Sequence, residues 1–251
     1  MHISDWTSFL VVAVLFSASF IRSAFGFGEA LIAVPLLSLV IPVRDAAPVA
    51  VLLSITIAGL IVLQDWRHIH VRSAISLFLA TLVGIPFGLL LLTMVRESIV
   101  KGLLACVIIM FSSYLLISER PPALRSNRLD WLFGFGAGIL GGAYGMNGPP
   151  LIVYGTLKRW SPQHFRATLQ GYFLPASTVV MGGYWKTGLL TSEITHLYWL
   201  SLPGALLAIL LGRMANQRMQ GTSFIRFVHI GLIVIGIVLL MQSLARHWWA
   251  S

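Results

Sequence analysis

Two residues invite chemistry first. Arg22 and Glu29 are ionisable and lie in or beside stretches that are otherwise apolar. Ionisable groups at membrane depth are expensive and normally face a bundle interior or a wet cavity. An arginine there attracts anions. A glutamate there can carry a coupling proton, and at a helix start its carboxylate is favoured by the helix dipole. A plainer account stands level with these roles. The two charges neutralise each other across a turn, or Arg22 snorkels to the lipid headgroups.

The backbone around them offers chemistry of its own. Phe25-Gly26-Phe27-Gly28-Glu29, with Pro35 further on, is a glycine-rich break followed by a short apolar run, and Tyr144-Gly145-Met146-Asn147-Gly148-Pro149-Pro150 is a second. Irregular backbone at membrane depth is tolerated only where it is buried in protein or lines a cavity. A helix starting at such a break aims unpaired N–H groups and a positive dipole end at whatever lies before it. Two breaks that face each other would make an anion cradle, as in transporters with discontinuous helices.

The candidate solute-binding residues are therefore Arg22, Gly26, Gly28, Glu29, Gly145, Asn147, Gly148, Pro149 and Pro150, with Glu29 also the candidate coupling group. Thr168 and Gln170, one helix beyond the second break, are candidates to bond solute oxygens. Close helix packing is the competing account of the glycines, and interhelical hydrogen bonding that of the polar residues. The latter applies equally to Ser54, Thr56, Gln64, Tyr172, Ser177, Thr178, Tyr184 and His196.

Other clusters point away from catalysis. His68 and His70 sit two apart in Asp65–Arg72, a spacing that does not share a helix face, and no cysteine cluster or zinc motif accompanies them. Cys106, the one cysteine, reads as a small packed residue. No nucleophile elbow, Walker loop or paired-acid signature is present. No catalytic residue, metal or cofactor is expected, and the chain does not read as an enzyme.

The elements that must position these residues are helices in a bilayer. Hydrophobic residues make up 57% of the 251-residue chain and charged residues 10%, against about 25% charged in soluble domains. Charge-free runs cover 6–21, 30–43, 46–64, 73–95, 102–118, 131–157, 167–185, 194–212 and 227–245. Most match the roughly 20 residues one crossing needs. Run 131–157 is long, and Gly148-Pro149-Pro150 is expected to break it. The net charge of +9 reads as cytoplasmic-loop Lys and Arg rather than nucleic-acid binding.

An ungapped shift of 120 residues superposes the punctuation of the two halves: Gly28 on Gly148, Ile32 on Ile152, Pro42 on Pro162, Ala47 on Ala167 and Gly84 on Gly204. The reading is an all-α polytopic membrane protein of 8–10 transmembrane helices. Residues 1–118 form a first repeat, 119–130 a polar linker and 131–251 a second repeat. If the short segments 27–43 and 148–160 cross, each half has five crossings and the repeats are inverted; if both are re-entrant, the total is eight and the halves run parallel. The ten-crossing arrangement places eleven Lys and Arg on one side and five on the other, the eight-crossing one nine and seven. The positive-inside rule favours the inverted five-plus-five form with both termini outside the cytoplasm.

At these residues the chain resembles the sulfite exporter TauE/SafE permeases. The likeness spans about residues 10–242. It is carried by Gly26–Pro35 with Leu36-Leu37-Ser38-Leu39, by Pro42 ahead of Ala46-Ala47, and by Trp66-Arg67-His68-Ile69. In the second half it is carried by Gly141–Tyr154, Trp160-Ser161-Pro162 and Phe165-Arg166-Ala167-Thr168. The resemblance implies a multi-pass permease of the bacterial inner membrane for small anions, often sulfur-containing oxyanions such as sulfite or organosulfonates, with export the usual direction. The chain departs from the longer glycine runs of many members at Gly26–Glu29 and Asn147–Pro150. The alternatives are an uncoupled anion channel and a membrane-embedded lipid-modifying enzyme. The expected partners are a small anionic solute and the lipid bilayer. A homodimer is compatible with the sequence without being indicated by it.

Overall fold

The computed structural model describes residues 5–25, 28–65, 71–117, 129–160, 162–216 and 222–248. Gly26, His68, His70 and most of the polar linker lie outside them, as do the side chains of Gln64, His164, Gln170, His229 and His247. The described residues form ten helices: α1 Asp5–Phe25, α2 Glu29–Leu37, α3 Val43–Asp65, α4 Val71–Met94, α5 Glu97–Ile117, α6 Asp130–Tyr144, α7 Gly148–Leu157, α8 Pro162–Lys186, α9 Ser192–Asn216 and α10 Thr222–Trp248. No strand occurs among them.

Among the described residues, five segments are long and apolar enough to cross a bilayer: Trp6–Ala24, Val43–Leu63, Ile75–Met94, Glu97–Ile117 and Ser192–Ala215. The polarity of the molecule is turned outward-in. Leu79, Val83, Phe87, Leu90, Leu207, Leu210, Val234 and Met241 are exposed, whereas Arg22, Glu29, Ser54 and Ser177 are buried. An apolar exterior of this extent needs lipid against it. Cys106 also faces outward, exposed on α5, which corrects its expected place in the packed interior. A small thiol is cheap against lipid as well as in a core.

The two broken segments are short. α2 has 9 residues and α7 has 10, which at about 1.5 Å per residue reach some 14–15 Å, about half the hydrocarbon thickness. α6 ends at Tyr144, where the second break begins. Its C-cap is Gly145 at φ 66, with the Gly145 and Met146 N–H groups returning to the Gly141 and Leu140 carbonyls. This is the glycine-terminated closure that a left-handed residue allows. Gly148-Pro149-Pro150 therefore opens α7 rather than breaking a longer helix, because proline fits the first turn, where its missing N–H has no partner to lose.

Packing between the halves is reciprocal. α4 on α6 is matched by α9 on α1, α4 on α8 by α9 on α3, and the pairs α5–α10 and α3–α8 map onto themselves. Small residues set the closest seam. Gly134 lies beside Leu77 and Ala80, Gly138 beside Thr81 and Gly84, and Gly142 beside Ile85 and Gly88, so α4 and α6 run parallel. α1 and α9 also run parallel, with Val12 and Phe16 near Gly204 and Phe20–Ala24 near Gly212. α5 and α10 run antiparallel. Gly236 meets Ala105 and Ile109, Gly102 meets Ser243, and the Ser243 hydroxyl donates to the Ser98 carbonyl.

Candidate functional site

The site is assembled from both halves. Gly28, at φ 100, turns the chain into α2 and leaves Glu29 as the first helical residue. Arg22, near the end of α1, is fully buried and donates from Nη1 to Glu29 Oε1. The same nitrogen donates to Ser54 Oγ of α3 at 2.9 Å. The Ser54 hydroxyl stands 3.5 Å from the Ser177 hydroxyl of α8, and the guanidinium carbon lies 5.2 Å from the centre of the Phe173 ring. The pair is thus sealed by α3 and α8. Within the plainer account this excludes snorkelling: the two charges pair, and Arg22 does not reach the headgroups. A buried guanidinium is held charged only where a carboxylate and further acceptors compensate its desolvation.

Beside this pair the two breaks meet. A small cavity of about 20 Å³ is lined by Gly28, Glu29, Ala30, Leu31 and Ser54 from the first half and by Gly145, Met146, Asn147, Gly148, Pro149, Ile152 and Phe173 from the second. The volume is about that of one water site. Arg22 is one contact behind the lining, reached through Glu29 and Ser54. Pro150 is not in the wall; it packs toward Gly136. Thr168 is buried without lining the cavity. Gly26 and the Gln170 side chain lie outside the described residues.

The two helix starts are chemically unequal. The first three N–H groups of a helix lack intrahelical acceptors. In α2 these belong to Glu29, Ala30 and Leu31, while Ile32 bonds back to the Gly28 carbonyl. In α7 the equivalent positions are Gly148, Pro149 and Pro150, so only Gly148 has an N–H to offer. Asn147 compensates. It is 3% exposed, its buried Nδ2 makes only a loose approach to the Tyr172 hydroxyl, and it borders the cavity. A cradle built here takes backbone donors from α2 and a side-chain amide from α7.

A second buried network fixes α7. Asp130, at the start of α6, accepts from the Tyr154 hydroxyl of α7 at 2.5 Å and the Ser76 hydroxyl of α4 at 3.0 Å. Tyr154→Phe should lower stability by about 1–3 kcal/mol, the penalty for a buried acceptor that loses a donor. A thermal midpoint equal to wild type in detergent would show that Tyr154 does not hold α7. Three of the polar residues singled out by sequence bond as interhelical ties, while the Thr178 hydroxyl donates to the Leu174 carbonyl of its own helix. Thr56 meets Tyr198 at 2.7 Å, Tyr172 meets Thr81 at 2.5 Å and Tyr184 reaches the Gly141 carbonyl at 3.3 Å. His196 is exposed, and no group of three metal-ligating residues occurs among the described ones.

Phe173 and the Ser54–Ser177 contact were not singled out by sequence. Phe173 is one aromatic among apolar neighbours, and only the α3–α8 packing places it over Arg22. Asp130 carried a faint signal, as an acid abutting an apolar run.

Comparison with known proteins gives a consistent picture. The family model described as sulfite exporter TauE/SafE matches residues 11–239. A relative from Cupriavidus necator, described as a probable sulfite/organosulfonate exporter TauE, is 25% identical over 240 residues, covering 93% of each chain. No solved structure matches the chain significantly.

Proposed function

The chain belongs to the sulfite exporter TauE/SafE family of multi-pass membrane transporters of the bacterial inner-membrane kind, and from that premise we propose that it is a secondary permease for small sulfur-containing oxyanions. The relative's description as a sulfite/organosulfonate exporter supports that solute class and the outward direction. The observation that carries the reading is the meeting of two interrupted helices, one from each half, around a cavity that abuts a buried arginine.

The halves act as an inverted repeat. Supporting this, the counterparts α5 and α10 pack antiparallel, and α3 begins where α4 ends, with Arg44 donating to the Leu92 and Thr93 carbonyls. Arg44, Arg96 and Lys101 then share the less basic face, as the charge bias requires. A rocking of one repeat against the other opens the centre alternately to each side. The cavity of about 20 Å³ supports a carrier over an open channel, because a sulfonate cannot enter until α2 and α7 part. Glu29 carries the coupling proton and Arg22 receives the anion when Glu29 releases it.

Proteoliposomes containing the full chain test the proposal. Labelled sulfite or 2-hydroxyethanesulfonate should accumulate against its gradient when the unlabelled anion is preloaded, a behaviour no channel supports. Failure of that counterflow for every oxyanion offered would sink the permease reading. Asn147→Leu keeps the branched four-atom shape, with some added bulk, and removes the amide donor. It should weaken solute binding by roughly tenfold, the equivalent of about 1.4 kcal/mol, close to the lower end for one hydrogen bond to a charged group. Half-saturation of initial counterflow measures this, and an unchanged value would remove Asn147 from the site.

A further inference from the structure

A second cavity, of about 470 Å³, lies at the far end of α2 and is unused by the site above. Its walls are the turn Leu39–Pro42 that follows α2, together with Glu97 and Lys101 of α5 and Gln242 and Ala245 of α10. Lys101 lies one turn inside an apolar crossing, yet it is 4% exposed and turned to the protein interior. An ionisable residue at such depth is rarely there for packing. The α5–α10 seam also does not need it, since Gly102, Ser243, Gly236 and Ala105 make the close contacts.

The lysine's setting repeats that of the central arginine. Its ammonium stands 4.0 Å from the Glu97 carboxylate and 3.4 Å from Gln242 Oε1. Each end of α2 therefore carries one buried cation with a carboxylate that balances it. The separation along the helix is short, 9 residues, or about 14 Å. The two cavities differ in size in the sense a pathway needs: the central one holds about a water, and this one has room for a small organic anion.

We propose that this cavity is a second anion-binding site, a vestibule in which Lys101 captures a small sulfonate before or after it occupies the centre. The inference rests on the permease reading for its choice of solute. Lys101 supplies the charge and Gln242 the amide donor. Leu39, Val40 and Pro42 cover the solute's carbon end, and Glu97 is displaced from the ammonium while the solute is present.

Thiol labelling of the full chain in proteoliposomes tests it. With Cys106→Ser removing the native thiol, Ala245→Cys should react with a membrane-impermeant maleimide added to one side. Millimolar 2-hydroxyethanesulfonate should slow that reaction at least threefold. Lys101→Gln should abolish the protection, and Lys101→Arg should retain it. Protection that persists in Lys101→Gln, or that is absent in the Lys101 protein while counterflow proceeds, overturns the vestibule. Slowing by phosphatidylglycerol vesicles but not by the sulfonate also overturns it, because the cavity then holds a lipid headgroup. Absent counterflow with intact, Lys101-dependent protection would instead remove the permease reading and leave the anion site standing.

Discussion

Replacing Glu29 by glutamine is expected to raise the affinity for a small monovalent oxyanion by about tenfold or more and to abolish proton-driven accumulation, while counterflow continues. The carboxylate of Glu29 occupies the position on Arg22 that an anion would take. In the proposed mechanism anion and carboxylate compete for one guanidinium, and removing the competitor leaves a buried cation seeking a partner. Breaking a buried pair by deleting one member destabilises a protein by about 3–5 kcal/mol. Part of that returns when a solute anion fills the gap. The glutamine variant should accordingly melt lower than wild type without solute and show a larger rise on adding 2-hydroxyethanesulfonate, as ligand linkage requires.

The reciprocal change, Arg22→Gln, should remove binding altogether. It leaves Glu29 buried beside Ser54 with no cation, so its loss of stability will not be rescued by anions. Thermal shift and counterflow on the two variants together discriminate the mechanism. If Glu29→Gln retains proton-driven uptake against a gradient, Glu29 is a structural partner of Arg22 and the coupling lies elsewhere.

Gly138→Val is expected to prevent assembly of the α4–α6 seam. A Cβ at Gly138 would lie 2.3 Å from the Thr81 carbonyl oxygen, and one at Gly84 would lie 2.2 Å from that of Phe135. Both obstacles are backbone in a neighbouring helix and cannot swing aside as a side chain would. Overpacking typically costs about 1–3 kcal/mol, occasionally more. Contact with immovable main chain puts this case at the upper end, since in a membrane the close approach of small residues is itself a main source of helix association. Gly182→Ala is the control, because nothing lies within 4 Å of the added carbon. Size-exclusion profiles in detergent should show aggregated Gly138→Val and monodisperse Gly182→Ala. A monodisperse, transport-active Gly138→Val would show that the seam can open without loss.

Much of this was legible in order of residues. The clustering of charge into short gaps, and the absence of charge between them, dictate membrane helices, because desolvating a charge in hydrocarbon overrides local preference. The two breaks were equally plain: Gly28 and Gly145 take the left-handed conformations that only glycine adopts freely, and the adjacent Pro149 and Pro150 fit the first turn of a helix. Linear order also marked Arg22 and Glu29 as out of place. It did not say whether they bind a solute, pair, or reach for headgroups, since all three outcomes satisfy the same local pattern.

Packing excluded the last of these and showed the pairing. Ser54, Ser177 and Phe173 come from helices distant in sequence, and only their convergence seals the Arg22–Glu29 pair away from lipid. Packing likewise showed that the two helix starts beside the cavity are unequal, with N–H groups at the start of α2 where α7 has prolines and an asparagine. Placement of Cys106 on the outer face, and of Lys101 toward a cavity, follows from helix rotation about its axis. In uniformly apolar helices rotation leaves little trace in sequence, because a bilayer accepts the same side chains that a protein interior does.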